Sequence, residues 1–286
     1  NYVDYYNSLP LISLTISALL LLLFVIVYKE KNQKTFFFSL ILLILNLFIV
    51  IYNFDVKGYA FNQMLIFSKL SHFFIILILL GSILTILFSF NYLSKSNYNF
   101  GEFYILIFFS IIGMILMVSA NDLIIVFLGI EVMSIPFYVL AGFFRKRIKS
   151  NESSLKYFLL GSFATGFLLY GLALIYGIST TTNFNKISFL LPNLSQNLTF
   201  IIGVSLLLVG LSFKIAAFPF HSYAPDVYEG SPTTISGFFS SVGKISAFAI
   251  IVLIFYNVLN KEIIKIKEIL IIISVLSMLI GSIIAI

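Results

Sequence analysis

Long apolar runs, broken by short polar stretches, dominate the chain. Nine of them approach the ~20 residues that a helix needs to cross a bilayer: Leu11–Tyr28, Thr35–Phe54, Ser71–Leu93, Glu102–Ser119, Asp122–Phe144, Ser153–Ile178, Leu198–Phe220, Thr233–Leu259 and Glu268–Ile286. The runs are continuous rather than alternating, which excludes a closed β-barrel and predicts an all-α polytopic membrane protein. The first three spans carry no central charge and read as lipid-facing scaffold. The stretch Ser179–Asn197, with Pro192, reads as a polar loop. Asn193 and Asn197 each open a glycosylation-type triplet, a pattern too common by chance to carry weight.

Of the 286 residues, 60% are hydrophobic and only 10% charged, against about 25% charged in soluble domains. The absence of cysteine excludes disulfides, thiolate metal sites and iron–sulfur ligation by this chain. Its two histidines, His72 and His221, argue against a bis-histidine haem, so any redox chemistry must lie in a partner. His72, at the start of the third span, reads as a headgroup-level side chain.

A net charge of +6 does not mark a nucleic-acid surface, because most basic residues fall in short loops between spans. Lys29, Lys31 and Lys34 follow the first span, and Arg145, Lys146, Arg147 and Lys149 follow the fifth. Both loops lie on one side, which the positive-inside rule makes cytoplasmic or matrix, with the N-terminus outward. Lys261, Lys265 and Lys267 fall on the other side, partly balanced by Glu262. No basic, cleavable leader precedes the first span. The apolar run that reaches Ile286 without a polar cap points to a truncated, split or partly represented protein.

Four ionisable residues interrupt the apolar runs: Glu131, Lys156, Lys214 and Lys244, each on a different span. A charge at the bilayer centre costs roughly 2.5–3.5 kcal/mol on insertion scales, so such residues mark pathways for ions or protons. Glu131 precedes Pro136, which should kink the fifth span and free a backbone carbonyl. Burial and a neighbouring lysine pull a carboxylate's proton affinity in opposite directions, which leaves it able to change charge. Lys156 is near the start of the sixth span, where a long side chain can also snorkel to the interface. Lys214 lies deep in the seventh, and Pro219, five residues on, should break that helix. Beyond it, Ala224–Pro232 holds two prolines besides Asp226, Glu229 and Gly230, too irregular to continue a span. Broken helices at membrane depth line cavities or lie inside protein, and transporters build ion sites on them. His221, at the break, is a candidate proton relay, since an unperturbed histidine titrates near pH ~6.5. Lys244 sits among small residues, Ser240, Ser241, Gly243 and Ser246, that leave room for close packing and water.

The wording Phe213-Lys-Ile-Ala-Ala-Phe-Pro-Phe-His221, followed by Pro225-Asp-Val-Tyr-Glu-Gly230 and Ser241-Val-Gly-Lys244, resembles the antiporter-like membrane subunits of respiratory complex I, most of all the subunit 2 type. Glu131-Val-Met-Ser-Ile-Pro136 and Ser153-Ser-Leu-Lys156-Tyr fit as well. The resemblance covers the fourth to eighth spans by wording and the first three by arrangement. It implies about fourteen helices with two inverted five-helix repeats. Residues 1–101 would then be three scaffold helices, 102–260 the first repeat with its proton half-channel, and 261–286 the first helix of an incomplete second repeat. The charged residue of the second repeat's broken helix would come from elsewhere, such as a separate chain. Tyr223-Ala224 stands where the family usually has Trp-Thr, a change that keeps an amphipathic ring.

The resemblance further implies a proton path through Glu131, Lys156, Lys214 and Lys244, with His221 at the break, in a proton-translocating subunit of NADH:ubiquinone oxidoreductase. FMN, iron–sulfur clusters and ubiquinone are expected in partner subunits and no cofactor or metal in this chain. Other membrane-arm subunits, including neighbouring antiporter-like ones, and lipids are the expected partners. Unlike charges a few ångströms apart interact by about 4 kcal/mol at an effective dielectric near 20, enough to change a protonation state. The alternatives are a subunit of a multisubunit cation (Na+)/proton antiporter, and an assembly scaffold, which would do better with leucine at the charged positions. Abundant Phe, Ile, Asn and Lys hint at an AT-rich genome and the mitochondrial inner membrane, with a bacterial plasma membrane as the alternative.

Overall fold

The structure, a computed structural model, describes residues 2–28, 32–96, 98, 100–259 and 264–284. Lys29, Lys31, Lys261, Glu262 and Ile286 lie outside the described residues, as does the Lys265 side chain. Thirteen α-helices are described in chain order: α1 Tyr2–Asn7, α2 Leu9–Val27, α3 Asn32–Tyr52, α4 Lys69–Lys95, α5 Gly101–Val118, α6 Leu123–Ala141, α7 Ile148–Ser179, α8 Phe184–Leu194, α9 Leu198–Ile215, α10 Tyr223–Gly230, α11 Thr233–Phe238, α12 Lys244–Ile254 and α13 Ile264–Ile284. A small antiparallel hairpin, β1 Gly58–Ala60 and β2 Leu65–Phe67, lies between α3 and α4. Among the described residues, eight helical stretches are long and apolar enough to cross a membrane: α2 to α7, α9, and the run Thr233–Ile254. The ninth expected span corresponds to α13.

Helix α5 is the most enclosed and packs against α2, α3, α4, α6 and α12. Apolar side chains gain little by leaving lipid for protein, so helices in membranes associate where small residues let backbones approach. Gly113 of α5 and Gly129 of α6 do this: a Cβ on Gly113 would lie 2.3 Å from the Met133 backbone nitrogen. Helices α7 and α9 meet in the same way through Gly171, where a Cβ would lie 2.5 Å from the Gly203 carbonyl oxygen. Leu19, Leu23, Phe48, Phe88 and Phe163 project outward, the pattern of a lipid-facing surface.

One end of the bundle is closed by a polar knot. Asp122 caps α6, accepting from the Ile124 N–H at 2.9 Å and from the Thr182 hydroxyl at 2.8 Å. Asn121 and Asn183 both donate to the Gln63 carbonyl at the hairpin tip. Asn183 and Asn197 cap α8 and α9. These short polar side chains satisfy the free N–H groups of the first helical turns.

Several expectations are corrected. The loop 179–197 contains a helix, because Phe184, Ile187, Leu191 and Leu194 recur at helical spacing and bury one face of α8. Pro192 sits inside its last turn. His72, in the first turn of α4, is enclosed by protein: it is fully buried, with Nδ1 2.8 Å from the Ser68 carbonyl oxygen and its ring against Phe54 and Phe67. The capping box of Ser68 and Ser71 satisfies free N–H groups at this first turn of α4. Helix α7 starts at Ile148, inside the expected basic loop. Helix α9 ends at Ile215, four residues before Pro219. Ala216 takes a left-handed conformation (φ 58°), and Ala216 and Ala217 donate back to the Phe213 and Ser212 carbonyls. That is a C-terminal stop of its own. Tyr223–Gly230 is helical rather than irregular, since Pro225 falls in the first turn, where proline is tolerated. The eighth span is one run of helix with π-turns at Phe239–Gly243 and Phe255–Leu259.

Gly113→Val should prevent α5 and α6 from closing, because the obstacle is backbone. Overpacking of this kind costs about 1–3 kcal/mol. The expected result is a lower unfolding midpoint in detergent and less assembled protein, while Gly166→Ala, with nothing within 4 Å of the added Cβ, leaves both unchanged.

Candidate functional site

Glu131, Ser134 and Tyr138 follow one another on α6 at spacings of three and four, which places them on one helix face. Lys214, in the last turn of α9, reaches that face from across the bundle. It is 7% exposed. Its Nζ donates to the Ser134 hydroxyl at 2.8 Å and lies 3.5 Å from the Tyr138 hydroxyl. Both hydroxyls satisfy a cation that the apolar surroundings would otherwise leave unpaired. The negative end of the α9 dipole favours a positive charge at the same place.

Glu131 is near enough to act on Lys214 electrostatically, yet the two form no direct ion pair among the described residues. Glu131 Oε1 is shielded from solvent without a hydrogen-bond partner. The structure places Glu131 near Lys214, whose Nζ rests on Ser134 rather than on the carboxylate. Helix α6 continues through Pro136, whose missing N–H leaves the Val132 carbonyl without its intrahelical donor.

Lys156 is elsewhere. Its Nζ binds Asp226 Oδ2 at 2.5 Å and Glu152 Oε1 at 2.7 Å, with its side chain 41% exposed. Lys149 pairs with Glu229 beside it. These pairs join the start of α7 to α10, and Gly230 makes the approach possible: a Cβ there would lie 2.4 Å from the Lys149 carbonyl oxygen. Between this exposed cluster and Lys214 stands a stack of rings. Tyr138 meets Tyr157 edge-on (5.0 Å between centroids), Tyr157 stacks on Tyr223 (5.4 Å), and Tyr223 stacks on Phe213 (4.2 Å). The Tyr223 hydroxyl donates to the Phe213 carbonyl at 2.8 Å, a second donor beside the Ala216 N–H, and ties α10 to the end of α9.

His221 lies in the turn between α9 and α10, with Nδ1 buried and unpartnered and its ring 5.5 Å from that of Phe218. Lys244 follows the π-turn, half-buried, its Nζ 5.8 Å from the Tyr228 ring centroid. Helix π-turns cluster at functional sites because they re-aim the side chains that follow. No group of three or more side chains able to hold a metal comes together among the described residues.

Sequence reasoning missed the Ser134–Tyr138 seat and the partnering of Lys156 with Asp226. The signal for the first was present, since both hydroxyls fall on the Glu131 face of a single helix. The second depends on how α10 docks, which spacing does not reveal.

A family model described as NADH:quinone oxidoreductase/Mrp antiporter, transmembrane, matches residues 120–286. NADH-quinone oxidoreductase subunit N of Trichlorobacter lovleyi is 45% identical over 225 residues, covering 78% of this chain and 46% of the relative. That of Solibacter usitatus (its subunit N 1) is 41% identical over 257 residues, covering 89% and 53%. The fold superposes with TM-score 0.81 and 30% identity on a chain of respiratory complex I from Thermus thermophilus, covering 96% of this chain and 58% of the other. It also superposes with TM-score 0.78 and 25% identity on a chain of an archaeal membrane-bound sulfane sulfur reductase, covering 96% and 57%. The chain spans about half the length of the curated relatives it matches. On the match across residues 120–286, which include Glu131, Lys156, Lys214 and Lys244, this chain belongs to the NADH:quinone oxidoreductase/Mrp antiporter transmembrane family.

Proposed function

We propose that this chain is the subunit N (subunit 2) type of proton-translocating membrane subunit in an NADH–quinone oxidoreductase. The observation that carries the reading is the Lys214 ammonium, buried at the end of a broken helix and held one helical turn from Glu131, whose Oε1 is buried without a partner. A cation and a carboxylate buried side by side without a closed ion pair can change charge in response to a neighbour, which is what a relay requires. Lys156, on the exposed carboxylate cluster, serves proton exchange with the aqueous side. Lys244 hands the charge onward along the bundle, and His221 assists at the break. Residues 102–260 act as the half-channel, and the remaining helices of the full-length relatives would complete the path.

The redox energy, with its FMN, iron–sulfur clusters and quinone, belongs to partner subunits in this reading. The relatives named above are bacterial, which favours a bacterial plasma membrane over the mitochondrial inner membrane that composition hinted at.

The first test is a native gel of mildly solubilised membranes stained for NADH dehydrogenase activity, with the chain located by peptide mass spectrometry. The expected result is this chain in the large active band. A band without NADH activity, together with sodium-driven proton exchange in vesicles, would transfer the chain to the antiporter branch of the family. A second expectation concerns the exposed pairs. Such ion pairs contribute about 0–1 kcal/mol, so Asp226→Asn should shift the unfolding midpoint little while slowing proton uptake, both measurable on the purified assembly.

A further inference from the structure

We infer that Ser134 and Tyr138 are positioning residues that hold the Lys214 ammonium away from Glu131 and so keep this buried pair open. The inference rests on the proton-translocation reading. It begins from the placement of one hydrogen. The Ser134 hydroxyl donates to the Ile130 carbonyl at 2.5 Å. Its only hydrogen is therefore spent, and toward Lys214 Nζ at 2.8 Å it can only accept. A hydroxyl fixed in this orientation is a seat for an N–H donor, and a charged donor binds it more strongly than a neutral one.

Tyr138 completes the seat from the next turn, its hydroxyl hydrogen-bonded to Ser134 and 3.5 Å from Lys214 Nζ. Space for it is made by Gly161 of α7, where a Cβ would lie 2.2 Å from the Tyr138 hydroxyl oxygen. The glycine is thus part of the device, since any side chain there would displace the phenol.

The competing arrangement is a direct Lys214–Glu131 pair. Glu131 Oε1 is buried and unpartnered, an unfavourable state for a polar atom that pairing would relieve. Ser134 lies three residues along α6 from Glu131, roughly 4.5 Å along the axis, so the lysine's long side chain can serve either site. The two hydroxyls offset the pull of the carboxylate. Without them the pair would close, and a closed, buried ion pair resists losing either partner's charge.

The test uses the assembled NADH–quinone oxidoreductase in proteoliposomes, with Ser134→Ala/Tyr138→Phe, Ser134→Thr, Gly161→Ala and Glu131→Gln compared for protons moved per NADH oxidised. A structure of the double variant is determined in parallel. The double variant should assemble, lose this subunit's share of the protons moved per NADH, and show Lys214 Nζ within about 3 Å of the Glu131 carboxylate. Ser134→Thr should restore translocation, and Gly161→Ala should reproduce part of the loss. If Glu131→Gln abolishes translocation while the double variant pumps normally with Nζ unmoved, the positioning role is overturned and the functional reading stands. If Glu131→Gln also pumps normally, the functional reading fails and this inference falls with it.

Discussion

The burial of one ammonium group constrains the rest of the bundle. Lys214 is buried in a protein that is itself surrounded by lipid, where an unpaired charge is costly. Everything near it supplies polarity at close range: the Ser134 and Tyr138 hydroxyls, the carbonyl end of α9, and the carboxylate of Glu131. Helix α9 must stop where it does for this to work. The left-handed Ala216 ends the helix just beyond Lys214, and the Tyr223 hydroxyl adds a second donor to the Phe213 carbonyl that Ala216 already binds.

Close helix packing then serves the site rather than merely stabilising the bundle. Gly113 and Gly129 bring α5 against α6 and set where Glu131 stands. Gly171 and Gly203 seat α9 on α7, and Gly161 leaves room for the Tyr138 phenol. The stack of Tyr138, Tyr157, Tyr223 and Phe213 separates the buried lysine from the exposed pairs of Lys149 and Lys156. A polar cluster open to solvent and a polar centre closed to it are thus held apart by rings. Proton passage between them needs a hydroxyl, an ordered water or a ring movement.

Much of this was readable from the chain. Continuous apolar runs located the spanning helices because a lipid-exposed backbone leaves few alternatives, and charges inside those runs marked Glu131 and Lys214 because their insertion cost makes chance placement rare. What escaped depended on contacts between distant segments. The α8 helix hid in a stretch whose polar residues face outward. His72 read as interfacial from its position, and its enclosure by Phe54 and Phe67 depends on how α4 packs on its neighbours. The end of α9 was placed at Pro219 because proline is a visible helix breaker, whereas a left-handed alanine leaves no mark in the sequence. Lys156 was placed on the proton path by the family resemblance, its position alone leaving an interfacial side chain equally open, and only the docking of α10 shows that Asp226 joins Glu152 as its partner.

The most direct measurement is the number of protons translocated per NADH oxidised by the intact complex carrying Lys214→Met, a substitution that keeps the length of the side chain and removes its charge. Assembly is checked by native gel and NADH oxidation by absorbance. Loss of translocation in a fully assembled, NADH-oxidising complex is the expected result. Translocation at the wild-type ratio would contradict it, and would mean that the buried ammonium serves packing alone.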